Sequence, residues 1–174
     1  MGLPSNQYLL GLRDLKLRRG AVQVDLPAAQ KLTFKVEVNS KELRGDDEVV
    51  YTMSRIPKGT GSFSSGGYPA SAIALMTGKT ITETGTTPNI TGVWSMLGGD
   101  SFPEFELYGQ AYGQNGSALL VHLFRCVITG GLEFNFEDDN FFVNGIDIDV
   151  LRDTGTGKIF EITQQETAAA IPTP

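Results

Sequence analysis

Alternation of apolar and polar residues is the dominant pattern along the chain, and it predicts β-strands. The clearest example spans residues 31–39, whose apolar side chains would share one face of a strand: Leu32, Phe34, Val36 and Val38. Weaker runs of the same kind lie at 12–17, 21–26, 48–56, 62–64, 105–107, 117–129, 132–136, 142–151 and 158–162. Strands with one polar face are typical of antiparallel sheets.

One helix is predicted over residues 69–77. Pro69 suits the first position of a helix, and Gly78 suits the residue that follows its end. Small and apolar residues fill the segment between them, and Ile73 shares a helical face with its neighbours one turn away. The helix is therefore expected to be short and to flank the strands.

Three segments between the strands lack a regular pattern. Residues 40–47 are charged and predict a connection, residues 57–67 are rich in Gly and Ser, and residues 79–102 are rich in Thr and Gly. With about eight strands and one helix, the chain is predicted to be mainly β: a two-sheet antiparallel β-sandwich with a long charged and Gly-rich loop region. One domain is expected over 1–166, with a flexible tail at 167–174.

Composition narrows the class of protein. The 174 residues include 21 glycines and 8 prolines, which predict many turns. The single cysteine, Cys126, excludes an internal disulfide framework. No segment approaches the roughly 20 apolar residues that a membrane-spanning helix needs, and no secretory signal is visible. The sequence therefore favours synthesis in a reducing cytoplasm and no membrane partner.

Charge is distributed unevenly along the chain, and its net value is -6. Residues 1–58 hold 10 Lys and Arg against 7 Asp and Glu, whereas residues 59–174 hold 4 against 13. The acidic balance argues against a protein that binds nucleic acid through its phosphates. The asymmetry has two interpretations: a basic surface that meets an acidic surface of an identical neighbour, or two faces that are solvated differently.

Motifs for nucleophilic or phosphate chemistry are incomplete. His122 and Cys126 lie four residues apart in a predicted strand, and at ~3.3 Å per residue they would be about 13 Å apart on one face. Both are therefore expected in the core or in an interface. Residues 77–80 resemble the end of a phosphate-binding loop, but Ile73 stands where that motif needs a glycine.

Acidic residues suggest a metal site or a hydrolase only weakly. The run 137–139, or Asp147 with Asp149, could hold calcium, but the spacing matches no EF-hand. Glu104 and Glu106 could form a pair of glycosidase carboxylates, but no aromatic platform accompanies them. We therefore expect no enzyme activity, no cofactor and no metal. A Gly-rich β-sandwich without catalytic residues suggests a component of an assembly.

The order of these features resembles the major tail tube proteins of bacteriophages with long, non-contractile tails. The similarity covers roughly residues 10–165 and rests on the following segments: Leu32–Val38 leading into Leu43–Asp47, the Gly/Ser stretch 59–67 before the helix at 69–77, Pro103–Gly109, and Leu120–Phe136 followed by an acidic turn and Asp147–Val150. The same fold occurs in the tubes of contractile tails and of type VI secretion systems.

The resemblance implies a structural virion protein that assembles with itself. Its subunits would form hexameric rings whose sheets close into a continuous barrel, and the rings would stack into a tube. DNA and the tape-measure protein would pass through the channel without specific DNA binding, and tail terminator and tip proteins would cap the tube. Such a protein would be found in the host cytoplasm during assembly and in the virion tail afterwards.

Residues 40–66 are predicted to form the main contact between subunits and between rings. The candidate contact residues are Lys41, Glu42, Leu43, Arg44, Asp46, Asp47 and Phe63. The candidates for an acidic channel wall are Glu37, Glu104 and Glu106, with Glu133, Asp147 and Asp149 as substitutes if the other sheet faces inward. A negative wall would repel the duplex and keep it mobile.

A β-sandwich binding module, either receptor-binding or carbohydrate-binding, is the alternative function. Such modules usually expose several aromatic side chains in their loops. Here Tyr68 and Trp94 are the only loop aromatics that the sequence offers as candidates.

Overall fold

The computed structural model describes residues 9–45, 48–113, 115–133 and 144–174. Within these ranges the chain forms twelve strands and one helix. In chain order they are β1 (Leu9–Arg19), β2 (Val22–Asp25), β3 (Ala29–Val36), β4 (Asn39–Gly45), β5 (Glu48–Arg55), β6 (Gly59–Ser65), α1 (Ala70–Thr77), β7 (Thr82–Thr84), β8 (Thr91–Val93), β9 (Phe105–Gly113), β10 (Ala118–Ile128), β11 (Asn144–Leu151) and β12 (Phe160–Gln165).

Eight of these strands form one antiparallel sheet that folds over itself into two layers. The hydrogen-bonded order is β2-β1-β9-β10-β11-β6-β3, and β12 also pairs with β10. The long strand β10 belongs to both layers, because Ala118–Leu123 pair with β12 whereas Arg125–Ile128 pair with β11. We call β2-β1-β9-β10-β12 the front layer and β11-β6-β3 the back layer. The mainly β, antiparallel prediction is confirmed.

The core lies between the two layers and consists of the inward residues of the alternating strands. Phe63 of the back layer packs edge-on against Phe105 of the front layer, with 6.5 Å between ring centroids. Further side chains from both layers are almost completely buried: Leu15, Leu17, Leu107, Leu123, Ile146, Ile148 and Val150. Phe63 itself is 1% exposed, so its predicted role as a contact between subunits is wrong.

Strand β6 carries glycines because it lies very close to β3. A Cβ atom on Gly61 would lie 2.6 Å from the carbonyl oxygen of Thr33, well inside van der Waals contact. The neighbouring backbone therefore leaves room only for hydrogen at this position. The Gly/Ser composition that predicted a loop at 57–67 instead marks a strand in the back layer.

Helix α1 begins at Ala70 and ends at Thr77, which confirms the predicted helix to within one residue. Pro69 precedes it as the N-cap, and Gly78 follows it in the left-handed conformation, with φ of 70°. The buried side chains of Ala72, Leu75 and Met76 belong to the same core as β1 and β2. The helix therefore closes one side of the sandwich.

Residues 40–45 belong to a strand and not to the connection that the charge of segment 40–47 predicted. Asn39–Gly45 is strand β4, which pairs with β5 in a separate two-stranded sheet. The alternation was invisible because neither face of this strand is buried against the sandwich. Strands β7 and β8 form a second small hairpin within the ambiguous segment 79–102. The strand predicted at 132–136 lies largely outside the described residues.

The C-terminal segment has definite contacts. Ile171 is 3% exposed and packs with Tyr108 and Leu120 on the outer face of the front layer. The side-chain Nε2 of Gln110 donates a hydrogen bond of 2.7 Å to the carbonyl oxygen of Ala169. Residues that the sequence assigned to a flexible tail thus cover part of the sheet.

Candidate assembly surface

Strands β4 and β5 form a hairpin whose two faces are left uncovered by the other described residues. Every residue of both strands is exposed to solvent. Of the twelve exposed large hydrophobic residues among the described part of the chain, seven lie in this hairpin or at its base: Val38, Leu43, Val49, Val50, Tyr51, Met53 and Ile56. Such a concentration of exposed apolar side chains is unusual for a monomer and marks an interaction surface.

The two faces of the hairpin differ in character. Leu43 pairs with Tyr51 and Lys41 pairs with Met53, so these four side chains share one face. Arg55, two residues beyond Met53, extends the same face at its base. We call this set the Leu43 face: Lys41, Leu43, Tyr51, Met53 and Arg55. It is an apolar centre with a basic end.

The opposite face of the hairpin is polar in its central part, and Val49, which pairs with Arg44, adds one apolar residue near the turn. Ser40 pairs with Ser54, and Glu42 pairs with Thr52. A register shift follows Leu43, where Val50 is the extra residue of a β-bulge. Because the two faces differ, a partner is expected to bind the Leu43 face, with the polar face directed to water.

The base of the hairpin is fixed to the back layer. The amide of Glu37 donates a hydrogen bond of 3.0 Å to the carbonyl oxygen of Lys58, which prolongs the β3–β6 ladder. The Lys58 ammonium lies 2.7 Å from a carboxylate oxygen of Asp149 in β11. Hydrogen bonding to Asp149 raises the pKa of Lys58. The base of the hairpin is therefore held against the back layer, and the rest of the hairpin extends from it.

Four of the predicted contact residues lie together on β4. Lys41 and Leu43 belong to the Leu43 face, whereas Glu42 lies on the polar face, where its carboxylate is 3.3 Å from the guanidinium of Arg44. Asp46 and Asp47 lie outside the described residues. The list of candidate contact residues omitted the apolar partners on β5, above all Tyr51 and Met53, although the predicted contact segment 40–66 contains both. Their alternation in 48–56 predicted a strand without showing which side would be exposed.

The predicted channel-wall residues are paired with basic groups. Glu106 lies on β9 and Glu104 directly precedes this strand, both on the outer side of the front layer. Glu104 forms a salt bridge with Arg125, and Glu106 forms one with Arg18 at 2.5 Å. Glu37 belongs to the back layer, where its carboxylate is 4.0 Å from Lys58. The three carboxylates therefore do not share one face, and each has a cation nearby.

Glu106 is the centre of a polar cluster on the front layer. One carboxylate oxygen accepts hydrogen bonds from Arg18 at 2.5 Å, from the hydroxyl of Tyr108 at 2.9 Å, and from Nε2 of His122 at 2.7 Å. Desolvation raises the pKa of Glu106, but these three donors outweigh it and lower the pKa overall. Since an ionised carboxylate only accepts hydrogen bonds, His122 must carry its proton on Nε2.

His122 and Cys126 are not a catalytic pair. The register of β10 shifts between Leu123 and Cys126, which turns the thiol into the core while His122 stays on the outer face. Cys126 is completely buried, and desolvation raises the pKa of its thiol. The sequence reasoning placed both residues on one face because it assumed a regular strand. The expectation that Cys126 is a core residue is confirmed.

Replacing Glu106 with glutamine should lower the pKa of His122 further. Burial lowers the pKa of this imidazole, while the hydrogen bond and the charge of Glu106 raise it. Removing the negative charge leaves desolvation and the positive charge of Arg18 to dominate. His122 is the only histidine, so an NMR titration of its ring protons reports the change directly. An unchanged or higher pKa in Glu106→Gln would contradict the described contact, and Glu83→Gln serves as the distant control.

A second exposed apolar segment follows the helix. Ile90, Val93 and Leu97 are 53%, 56% and 72% exposed. In the β7–β8 hairpin, Glu83 pairs with Gly92. Ile90 directly precedes β8, so it lies near Glu83 at the turn end of the hairpin. We call this pair the Ile90 face. Glu83 is the only charged residue between 80 and 97.

Neither a metal site nor a membrane span is found in the part of the chain that the structure describes. Those residues contain no group of three or more His, Cys, Asp or Glu side chains that could hold a metal ion. No helix among them is long and apolar enough to cross a bilayer. The sequence matches no protein-family model and no curated protein.

Proposed function

We propose that this chain is a structural protein that assembles with copies of itself into stacked rings, forming a tail tube through which DNA is delivered. The observation that carries the proposal is the Leu43 face, an apolar surface on a projecting hairpin. A chain that acts alone would lose solubility by exposing Leu43, Tyr51 and Met53 together. A second copy that covers this face removes the exposed area.

Open sheet edges support sideways assembly. Strand β2 pairs only with β1, and strand β12 pairs only with β10, among the described residues. Each edge carries one exposed apolar residue, Val22 on β2 and Ile162 on β12. Unpaired edges promote pairing between chains, and closure into a ring removes them. Front layers joined edge to edge would form the continuous barrel that a tube requires.

In a ring built in this way, the outer faces of the front layers would carry both acidic and basic residues rather than acidic residues alone. On the outer face of the front layer, Glu106 is paired with Arg18 and Glu104 with Arg125. Such a surface holds few uncompensated cations that could bind phosphates. DNA would then pass because the basic residues of the wall are paired with carboxylates and do not bind its phosphates. The acidic wall inferred from the sequence stays a prediction.

Removal of the hairpin tests the proposal. Residues 40–54 would be replaced by Asn-Gly, so that Asn39 and Arg55, which are paired in the hairpin, flank a two-residue turn. Light scattering and negative-stain microscopy of the intact protein should reveal rings or tubes, and the shortened protein should stay a folded monomer. Tubes formed by the shortened protein, or no oligomer of the intact protein up to millimolar concentration, would contradict the proposal.

A carbohydrate-binding role is the second candidate. An open cavity of about 410 Å³ lies on the outer face of the back layer. Its polar lining could hydrogen-bond to sugar hydroxyl groups: Thr33, Lys35, Thr60, Ser62, Asp147 and Asp149. Binding of soluble glycans by a monomer, with loss of binding in Asp147→Asn, would favour this role over assembly.

A further inference from the structure

The Leu43 face needs a receiving surface, and the chain itself supplies the candidates. Beyond the β4–β5 hairpin, five exposed large hydrophobic residues remain among the described residues. Two of them, Val22 and Ile162, lie singly on separate sheet edges. The other three lie within eight residues of one another at 90–97. This segment is the largest remaining concentration of exposed apolar side chains.

We propose that the Leu43 face of one copy docks on the Ile90 face of the β7–β8 hairpin of another copy. The inference rests on the proposed function and specifies the two surfaces that meet. Leu43, Tyr51 and Met53 would cover Ile90, and the basic end of the Leu43 face would lie near Glu83. The contact is heterologous, because each copy offers one surface and receives the other, and such contacts propagate into rings or filaments.

Charge distinguishes this arrangement from a symmetric one. If two Leu43 faces packed on each other, Lys41 and Arg55 of one copy would approach the same cations of its partner. Like charges at an interface are unfavourable and suppress such pairings. The Ile90 face instead presents a carboxylate and no cation. The two surfaces are therefore complementary in both polarity and charge.

The hairpin has the length to reach a neighbour. Seven residues of β4 at ~3.3 Å per residue extend roughly 20 Å. Within one chain the two faces do not cover each other, since Tyr51 is 58% and Ile90 is 53% exposed. Charged residues on both sides of the hairpin, such as Lys41 and Glu42, make insertion into lipid unfavourable. A second copy of the chain is the occupant that fits these observations.

Disulfide cross-linking tests the contact directly. The native Cys126 is completely buried and leaves the surface free of thiols among the described residues. Met53→Cys and Ile90→Cys proteins would be mixed and oxidised with copper phenanthroline. A disulfide requires Cα atoms within about 7 Å, so efficient formation of the mixed dimer reports docking. The matched control is Ser54→Cys with Ile90→Cys, because Ser54 lies on the polar face of the same strand.

The expected result is a mixed Met53→Cys/Ile90→Cys dimer at least tenfold more abundant than the control. Predominance of a Met53→Cys homodimer, or equal yields from both pairs, overturns the inference. If intact protein forms tubes but the mixed dimer is absent, the proposed function stands and only this contact fails. If no oligomer forms at all, both fail.

Charge exchange gives an independent readout. Glu83→Lys should raise the concentration needed for assembly roughly threefold, as expected for the loss of one exposed ion pair. Adding Lys41→Glu and Arg55→Glu in the same chain should restore assembly. Unchanged assembly of Glu83→Lys, or failure of the triple variant to restore assembly that Glu83→Lys has weakened, overturns the pairing.

Discussion

Replacing both Leu43 and Tyr51 with aspartate is expected to abolish assembly while leaving the subunit folded. The two side chains face each other across the hairpin and are 63% and 58% exposed in the single chain. Covering a Leu or Tyr side chain contributes roughly 1.5–3 kcal/mol. Loss of two such contacts raises the concentration required for assembly at least about 100-fold. Sedimentation and microscopy of the purified variant measure the loss.

The control for this double variant is Ser40→Asp with Ser54→Asp. These residues form the equivalent cross-strand pair on the polar face of the same hairpin. Both variants place two carboxylates opposite each other, so any damage to the hairpin itself is matched. Normal assembly of the control with loss in Leu43→Asp/Tyr51→Asp assigns the effect to the apolar face. Equal loss in both would mean that the hairpin, rather than this face, is required.

Fold class was predictable because most strands bury one face. The alternation at 31–39 predicted β3, and Gly78 after a run of small residues predicted the end of α1. Both signals follow from burial and from backbone stereochemistry, which are local properties of the sequence. They do not specify which strands become neighbours. The pairing of β9 with β1, which are far apart in sequence, appears only in the structure.

The assembly surface was predicted only in part, because the β4–β5 hairpin is not stabilised in the way that produces a clear sequence pattern. Its strands are stabilised by pairing with each other rather than by burial on the sandwich, so β4 lacks a clean alternation. The charges at 40–45 correctly indicated an exposed segment but concealed its strand character. Phe63 was assigned to the surface because Gly and Ser surround it, although it is buried and the small residue Gly61 lies against the backbone of β3.

The acidic residues Glu104 and Glu106 illustrate a second limit of prediction from the sequence. Their alternation with Phe105 and Leu107 correctly placed them on a polar face. The sequence could not reveal that Arg18 and Arg125, from β1 and β10, lie against them. The charges of one strand therefore do not determine the net charge of the sheet surface, because neighbouring strands contribute charges of their own. A test of the channel wall that changes Glu106 also removes the partner of Arg18, Tyr108 and His122.

Gly61→Val is expected to destabilise the subunit strongly, although valine favours strands. The new Cβ would lie 2.6 Å from the carbonyl oxygen of Thr33, so β3 and β6 would have to move apart. Overpacking against backbone costs about 3 kcal/mol, which corresponds to a decrease of roughly 6–12 °C in Tm for a domain of this size. Calorimetry or thermal circular dichroism of the isolated subunit measures the decrease.

Gly145→Val provides the matched comparison for this second prediction. Gly145 belongs to β11, which pairs with the other edge of β6, and no described atom lies within 4 Å of its Cβ position. Its backbone also lies outside the left-handed region. Gly145→Val should therefore keep or raise Tm, since valine restricts the unfolded chain more than glycine does. A similar decrease in both variants would mean that loss of glycine, and not the contact with Thr33, destabilises the back layer.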